Sequence, residues 1–164
     1  MILASASPRR KEILSKIFSD LLIKTKEIKE VSEKNTIISQ IEDIAFKKCK
    51  PVATENPNEY VLAADTVVVL NGEIITKPNS KKDAKDILKK LSNNQHTVIT
   101  AYSFLNINKN LKLINHDLTK VYMREISDAD IDWYINTKEP LDKAGAYGIQ
   151  EKGSIFVKKI EGDF

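Results

Sequence analysis

Residues 61–78, VLAADTVVVLNGEIITKP, limit the fold more tightly than any other stretch of the chain. Asn71-Gly72 stands between VVVL and EIIT, and both central positions of a type I′ turn need positive φ, which this pair accepts. The segment therefore predicts a β-hairpin whose first strand is an apolar run from Val61 to Leu70. Asp65 and Thr66 interrupt that run. An ionised carboxylate in such surroundings is costly to bury unless a cation, a metal or hydrogen-bond donors accompany it. Asp65 is accordingly read as a functional residue in preference to an exposed turn residue. Lys77-Pro78 closes the hairpin, where Lys77 is equally compatible with an ordinary exposed lysine.

A second constraint lies at residues 5–11, SASPRRK. Ser7 is a good N-cap, Pro8 suits the first helical position, and Ile13, Leu14, Ile17 and Phe18 form an apolar stripe behind them. The spacing predicts a helix, but Arg9, Arg10 and Lys11 crowd positive charge onto the positive end of its dipole. Each such cation costs a few tenths to ~1 kcal/mol unless an anion sits nearby. Backbone N–H groups and an Arg pair together describe an anion site, for which phosphate is the best fit, with a solvated basic face as the alternative.

Elsewhere helices and strands interleave. LLIKTKEIKE reads as a strand and a polar turn ending at Glu30; a helix follows over Thr36 to Lys48, with Ile37, Ile41, Ile44 and Ala45 on one face and Pro51 just past its end. Lys48 extends that face by four residues, so it either snorkels outward or points its ammonium into a site. Asn79 or Ser80 caps a helix to about Leu91 that turns Ala84, Ile87, Leu88 and Leu91 inward. The strands HTVITAYSFLNI, LKLINH and KVYMR come next. Ser127-x-x-Asp130 then resembles a capping box for a helix carrying Ile131, Trp133, Tyr134 and Ile135, which Pro140 stops. LDKAGAYGIQEKG leads to a last strand, SIFVKKI. The expected architecture is α/β, a mixed sheet flanked by helices, and without repeats or linkers it reads as one domain over residues 1–164.

Composition narrows the function classes. The chain has 164 residues, 41% hydrophobic and 30% charged, with a formal net charge of +3, as expected of a globular protein with its own core. The single cysteine, Cys49, cannot form an internal disulfide and reads as a core residue in a reducing compartment. No apolar run approaches a membrane span and no leader pattern opens the chain, so a cytoplasmic protein without a membrane partner is expected. His96 and His116 lack partners at zinc-ligand spacing, and the P-loop, the G-x-G-x-x-G fingerprint and G-x-S-x-G are absent. Trp133 and most other aromatics sit at core spacing, so no nucleic-acid partner is expected. What remains is a set of cations (Arg9, Arg10, Lys48, Lys77, Lys143) with the carboxylates Glu30 and Asp65. Phosphoanhydride hydrolysis needs that mixture, because cations neutralise the polyphosphate while carboxylates bind a hard divalent metal or take a proton from water.

LASASPRRKEIL, AADTVVVLNGEIITKP and EPLDKAGAYGIQ together resemble the Maf family, the septum-formation-inhibitor-like nucleoside triphosphate pyrophosphatases, in order along the chain. The resemblance implies an α/β fold with a central cleft, similar to the inosine triphosphatase-like fold. It also implies Mg²⁺- or Mn²⁺-dependent cleavage of a nucleoside triphosphate to the monophosphate and pyrophosphate, by a homodimer. It gives Asp65 the catalytic carboxylate position, Glu30 and Asp65 the metal site, and Lys48 and Lys77 the phosphate or metal side. Ser5, Ser7, Arg9 and Arg10 fall in the phosphate loop, and Arg9, Thr66 and Gln150 at positions tied to nucleobase choice; Lys143, from the set of cations above, is expected among the substrate-binding residues.

The DKAGAYGIQ form looks like the branch that prefers dTTP and UTP over 7-methyl-GTP. Gln150 offers a donor and an acceptor suited to the imide edge of uracil or thymine. The family pattern continues past EGD[YF] into a VVGLPL-like segment, so the chain is expected to lack the family's last C-terminal segment. The rival readings are a nucleotide-binding cell-division regulator with little catalysis and a pyrophosphatase for another nucleotide such as 7-methyl-GTP.

Overall fold

The computed structural model describes residues 1–163. Seven strands make a mixed sheet flanked by four α-helices, in the chain order β1 (Ile2–Leu3), α1 (Pro8–Ser15), β2 (Leu22–Ile23), α2 (Ile37–Glu55), β3 (Val61–Leu70), β4 (Glu73–Ile75), α3 (Lys81–Leu91), β5 (Gln95–Asn106), β6 (Leu111–Met123), α4 (Asp128–Asn136) and β7 (Val157–Glu161). The strands are hydrogen-bonded in the order β2-β1-β3-β5-β6-β7, with β4 attached to β3. Strand β1 runs parallel to β2 and β3, whereas β3–β4 and β6–β7 are antiparallel. The chain divides into two compact units, Met1–Asp65 with Thr100–His116, and Thr66–Ile99 with the described residues from Asp117 onward.

In the first unit, Ile2, Ala4, Cys49, Val52, Ala53, Val61, Ala63 and Leu105 form the core, with Phe46 packed against it. Helix α2 starts at Thr36, whose side chain accepts from Ser39 N while the Ser39 hydroxyl answers the Thr36 N–H. It runs on through Pro51 to Glu55, past the end expected from the sequence. An interior proline forfeits a hydrogen bond and costs about 3 kcal/mol. The extra turn brings Val52 and Ala53 to 1% and 0% exposure, and that burial offsets the cost. Cys49 lies wholly in the core, donates to Val61 O at 3.2 Å, and its thiol is pushed up to about 11 by burial, as expected of an inert core cysteine.

Helix α1 departs from expectation in another way. It ends at Ser15, so Ile17 and Phe18 leave the helix in a turn on Leu14 O and the stripe never assembles. Ile13, Ile17 and Phe18 stay exposed among the described residues, and only Leu22 and Ile23 of LLIKTKEIKE become strand.

The second unit is built on Val68, Leu70, Ala84, Ile87, Leu88, Leu91, Val121, Ile131, Tyr134, Ile135 and Phe156 among others. The hairpin forms as predicted, with Leu70 opposite Glu73 and both Asn71 and Gly72 at positive φ. Ser80 caps α3, whose four expected residues all face inward. Ser127 caps α4. Trp133 does not join the core: 48% exposed, it stacks on Tyr134, since α4 turns positions 131, 134 and 135 inward and leaves 133 between them and solvent. LKLINH and KVYMR are one strand, β6, and SIFVKKI divides into a 3-10 turn and β7.

His96 is buried on β5, its Nε2 2.7 Å from the Tyr147 hydroxyl and its Nδ1 without a partner. Burial pulls its pKa down to about 4 from 6.5. The unfolded chain therefore takes up a proton first, so the stability from neutral His96 is complete above pH 6.5 and is lost as pH falls towards 4. The full loss is roughly 3 kcal/mol. Chemical denaturation of wild type and His96→Phe at pH 7 and pH 4.5 should show the steeper decline in wild type. Parallel declines would contradict the assignment.

Candidate active site

The first unit gathers Ser5, Ser7, Arg10, Glu30, Lys48 and Asp65 around the start of α1 and the middle of β3. Asp65 interrupts the run because its carboxylate has a partner: Lys48 Nζ donates to Asp65 Oδ1 at 2.7 Å and pairs with Glu30 Oε2 at 2.9 Å. Lys48 therefore points inward. It lies one turn of α2 beyond Ile44, on the edge of the buried face that carries Ala45 and Cys49. The side chains of Lys48 and Asp65 are only 18% and 15% exposed, whereas Glu30 reaches in from a more open loop at 59%. The pair is thus well shielded and the Glu30 contact more screened.

That Glu30 loop has no regular structure between β2 and α2 and is held by side chains. Lys47 Nζ donates to Val31 O at 2.8 Å, and Ser32 Oγ to Asp43 Oδ2 at 2.6 Å. Sequence reasoning missed these ties, because Asp43 and Lys47 look like an ordinary i,i+4 surface pair.

The basic first turn of α1 is explained by Arg10. Its Nη1 donates to Ala64 O at 2.7 Å and to Ser5 Oγ at 3.1 Å. Ser5 Oγ also accepts from Ser7 N, and Ser7 Oγ accepts from Arg10 N at 3.5 Å as the cap of α1. Burial pulls the Arg10 guanidinium below the usual arginine value, opposed by the negative charges of Asp65 and Glu30. The anions that make this turn tolerable are therefore built into the protein. With Arg9 beside it, the cluster holds three cations against two carboxylates, and the surplus positive charge suits an additional anion.

The two carboxylates are hard oxygen donors, with no histidine or thiolate among them. No group of three or more His, Cys, Asp or Glu able to hold a metal occurs among the described residues. A Mg²⁺-type ion held by one or two carboxylates and completed by substrate phosphates needs no such cage, so Glu30 and Asp65 fit it.

Thr66, Lys77, Lys143 and Gln150 belong to the second unit. Thr66 is partly buried on β3, and Lys77 and Gln150 are exposed. Lys143 is 5% exposed and its ammonium meets Asp142 at 2.9 Å, Glu151 at 3.0 Å and Glu139 O at 3.0 Å. Three acceptors match the three N–H donors of an ammonium, so within this unit Lys143 is an internal tie.

A family model described as "Maf-like protein" matches residues 1–164. The dTTP/UTP pyrophosphatase of Fusobacterium nucleatum is 49% identical over 164 residues, covering 100% of this chain and 85% of that protein. Those of Alkaliphilus metalliredigens and Pyrococcus abyssi are 45% and 44% identical, each over 100% of this chain and 86% of theirs. Among solved structures, the Staphylococcus aureus Ham1 protein superposes with a TM-score of 0.55 at 17% identity, over 74% of this chain and 70% of that one, which extends the likeness to the fold.

Removing the Arg10 guanidinium takes a donor from Ala64 O and one of two donors from Ser5 Oγ, whereas Glu30 is exposed enough to be replaced cheaply. Arg10→Ala should lower unfolding free energy by about 1–3 kcal/mol and Glu30→Gln by less than about 1 kcal/mol, read by urea denaturation. Equal losses would mean that Arg10 is not anchored as described.

Proposed function

The chain belongs to the Maf-like protein family, and on that premise we propose that it is a nucleoside triphosphate pyrophosphatase that hydrolyses dTTP and UTP to the monophosphate and pyrophosphate. The observation that carries the reading is Asp65, a shielded carboxylate paired with Lys48 beside an arginine-lined helix start. Its rank above a binding regulator rests on relatives named for this reaction that match 100% of this chain and 85% and 86% of their own length.

Arg9, Arg10 and Lys48 supply the positive charge that holds the phosphates, with Ser5 and Ser7 in the same loop. Attack by water on the α-phosphorus forms a new P–O bond, breaks the bond to the bridging oxygen and releases pyrophosphate. Negative charge builds on the leaving group, and fixed cations stabilise it more than the ground state. Asp65 takes the proton of the attacking water on Oδ2, the oxygen opposite the one Lys48 engages, while Lys48 keeps that carboxylate oriented. Glu30 and Asp65 are the residues that would hold Mg²⁺ or Mn²⁺, which when bound withdraws charge from the phosphate oxygens. In the second unit, Lys77 is assigned to phosphate, and Thr66 and Gln150, with Arg9, to base choice. The same reading includes a homodimer in the cytoplasm, supported by the family resemblance; no helix among the described residues is long and apolar enough to cross a membrane.

Pyrophosphate release should be measured with UTP, dTTP, CTP, GTP and 7-methyl-GTP in Mg²⁺ or Mn²⁺. Expected are turnover of UTP and dTTP above the others, loss in EDTA, recovery on adding metal, and a kcat lowered ~10²-fold or more in folded Asp65→Asn. Nucleotide binding without turnover would favour the regulator, and preference for 7-methyl-GTP would change the substrate.

A further inference from the structure

The segment that carries Gln150 has little regular structure, so something must fix it for its side chain to discriminate between bases. Gly148 O accepts from Glu151 N at 3.2 Å, which places Ile149 and Gln150 at the tip of a tight turn. Both flanks of that turn lead to one carboxylate. On one side Gly148 N donates to the Tyr134 hydroxyl at 3.1 Å, and that hydroxyl donates to Glu139 Oε1 at 2.7 Å. On the other, Gly153 N donates to Glu139 Oε1 at 3.2 Å and Lys152 N to Oε2 at 3.3 Å.

Packing closes the same contacts. Tyr134 is fully buried, edge-on to Phe156 with ring centroids 5.1 Å apart. A Cβ on Gly153 would lie 2.7 Å from the Tyr134 hydroxyl and 2.9 Å from Gly148 N and O, so only glycine permits this approach. Lys143 ties Glu151 to Glu139 O from outside, and a Cβ on Gly148 would meet its Cε at 2.7 Å.

Resting on the proposed role of Gln150 in base choice, we infer that Glu139, acting with Tyr134, is a positioning residue that clasps both flanks of the Gly148–Glu151 turn and thereby sets the selectivity for uracil and thymine nucleotides. Neither residue needs to touch the substrate. A glutamine amide aimed at an imide edge discriminates only if its donor and acceptor are held in place, because a mobile amide can also satisfy a cytosine edge. Burial and the neighbouring Glu139 push the Tyr134 hydroxyl well above the usual tyrosine value, so it stays a donor throughout the working pH range.

The test compares kcat and KM for UTP and CTP in wild type, Tyr134→Phe, Glu139→Ala, Glu139→Gln and Gln150→Ala, with thermal melting as a control for folding. Tyr134→Phe and Glu139→Ala should lower the UTP-to-CTP ratio of kcat/KM about fivefold or more, chiefly through a raised KM for UTP. Their kcat for UTP should stay within about threefold of wild type. Glu139→Gln, which keeps one acceptor, should recover part of the ratio. Should Glu139→Ala fail to fold, Tyr134→Phe keeps the ring and carries the same comparison. A lower melting temperature with an unchanged ratio in Tyr134→Phe, while Gln150→Ala loses selectivity, would overturn the positioning role alone. An unchanged ratio in Gln150→Ala would overturn the base-choice reading on which it rests, and the inference with it.

Discussion

Everything at the candidate centre depends on giving the carboxylate of Asp65 a partner in the middle of a largely apolar strand. Strand β3 is buried or partly buried from Val61 to Leu70, with positions 64–67 partly buried between Ala63 and Val68, so an unpaired carboxylate there would carry an uncompensated desolvation cost. The ammonium of Lys48 prevents that, and it can do so only because α2 presents position 48 on the edge of its buried face. The same ammonium reaches Glu30, which draws an irregular loop onto the helix. Three segments distant in sequence are thereby fixed by one cation.

This arrangement keeps charge in reserve. A site made only of arginines and lysines would bind polyphosphate tightly in ground and transition state alike, which does not speed cleavage. Two carboxylates among the cations reduce that uniform attraction, and under the proposed function they would supply oxygen donors for a hard metal and a place for a proton. Arg10 contributes twice, as part of the positive surface and as the donor that secures the Ala64 carbonyl immediately before Asp65. The placement of Asp65 and local stability are therefore linked through adjacent residues of β3.

The sequence revealed those parts of the fold that local physics decides. The β3–β4 hairpin was legible because Asn71-Gly72 has few other uses, and α3 because its inward face repeats cleanly from Ala84 to Leu91. Asp65 stood out as a charge inside an apolar run, and Lys48 as a lysine continuing the apolar face of α2 four residues after Ile44. Features that depend on tertiary context were not legible. The apolar residues of α1 look like a stripe until the helix stops at Ser15, Pro51 looks like a terminator although burial of Val52 and Ala53 carries α2 through it, and Trp133 looks like core although α4 turns it outward. Glu139 drew no attention, since a glutamate before a proline near a helix end is commonplace, and its bonds to Tyr134, Lys152 and Gly153 exist only once the chain has folded back.

Under the proposed function, Asp65, held by Lys48, belongs to a centre that would bind a divalent cation together with the nucleotide. Calorimetric titration of Mn²⁺ into the protein with a non-hydrolysable α,β-methylene analogue of UTP, in wild type and Asp65→Asn, tests it most directly. Mn²⁺ binding should tighten when the analogue is present and weaken about tenfold or more in Asp65→Asn, a loss of ~1.4 kcal/mol, while the analogue itself still binds. Equal Mn²⁺ affinity in the two proteins would contradict it.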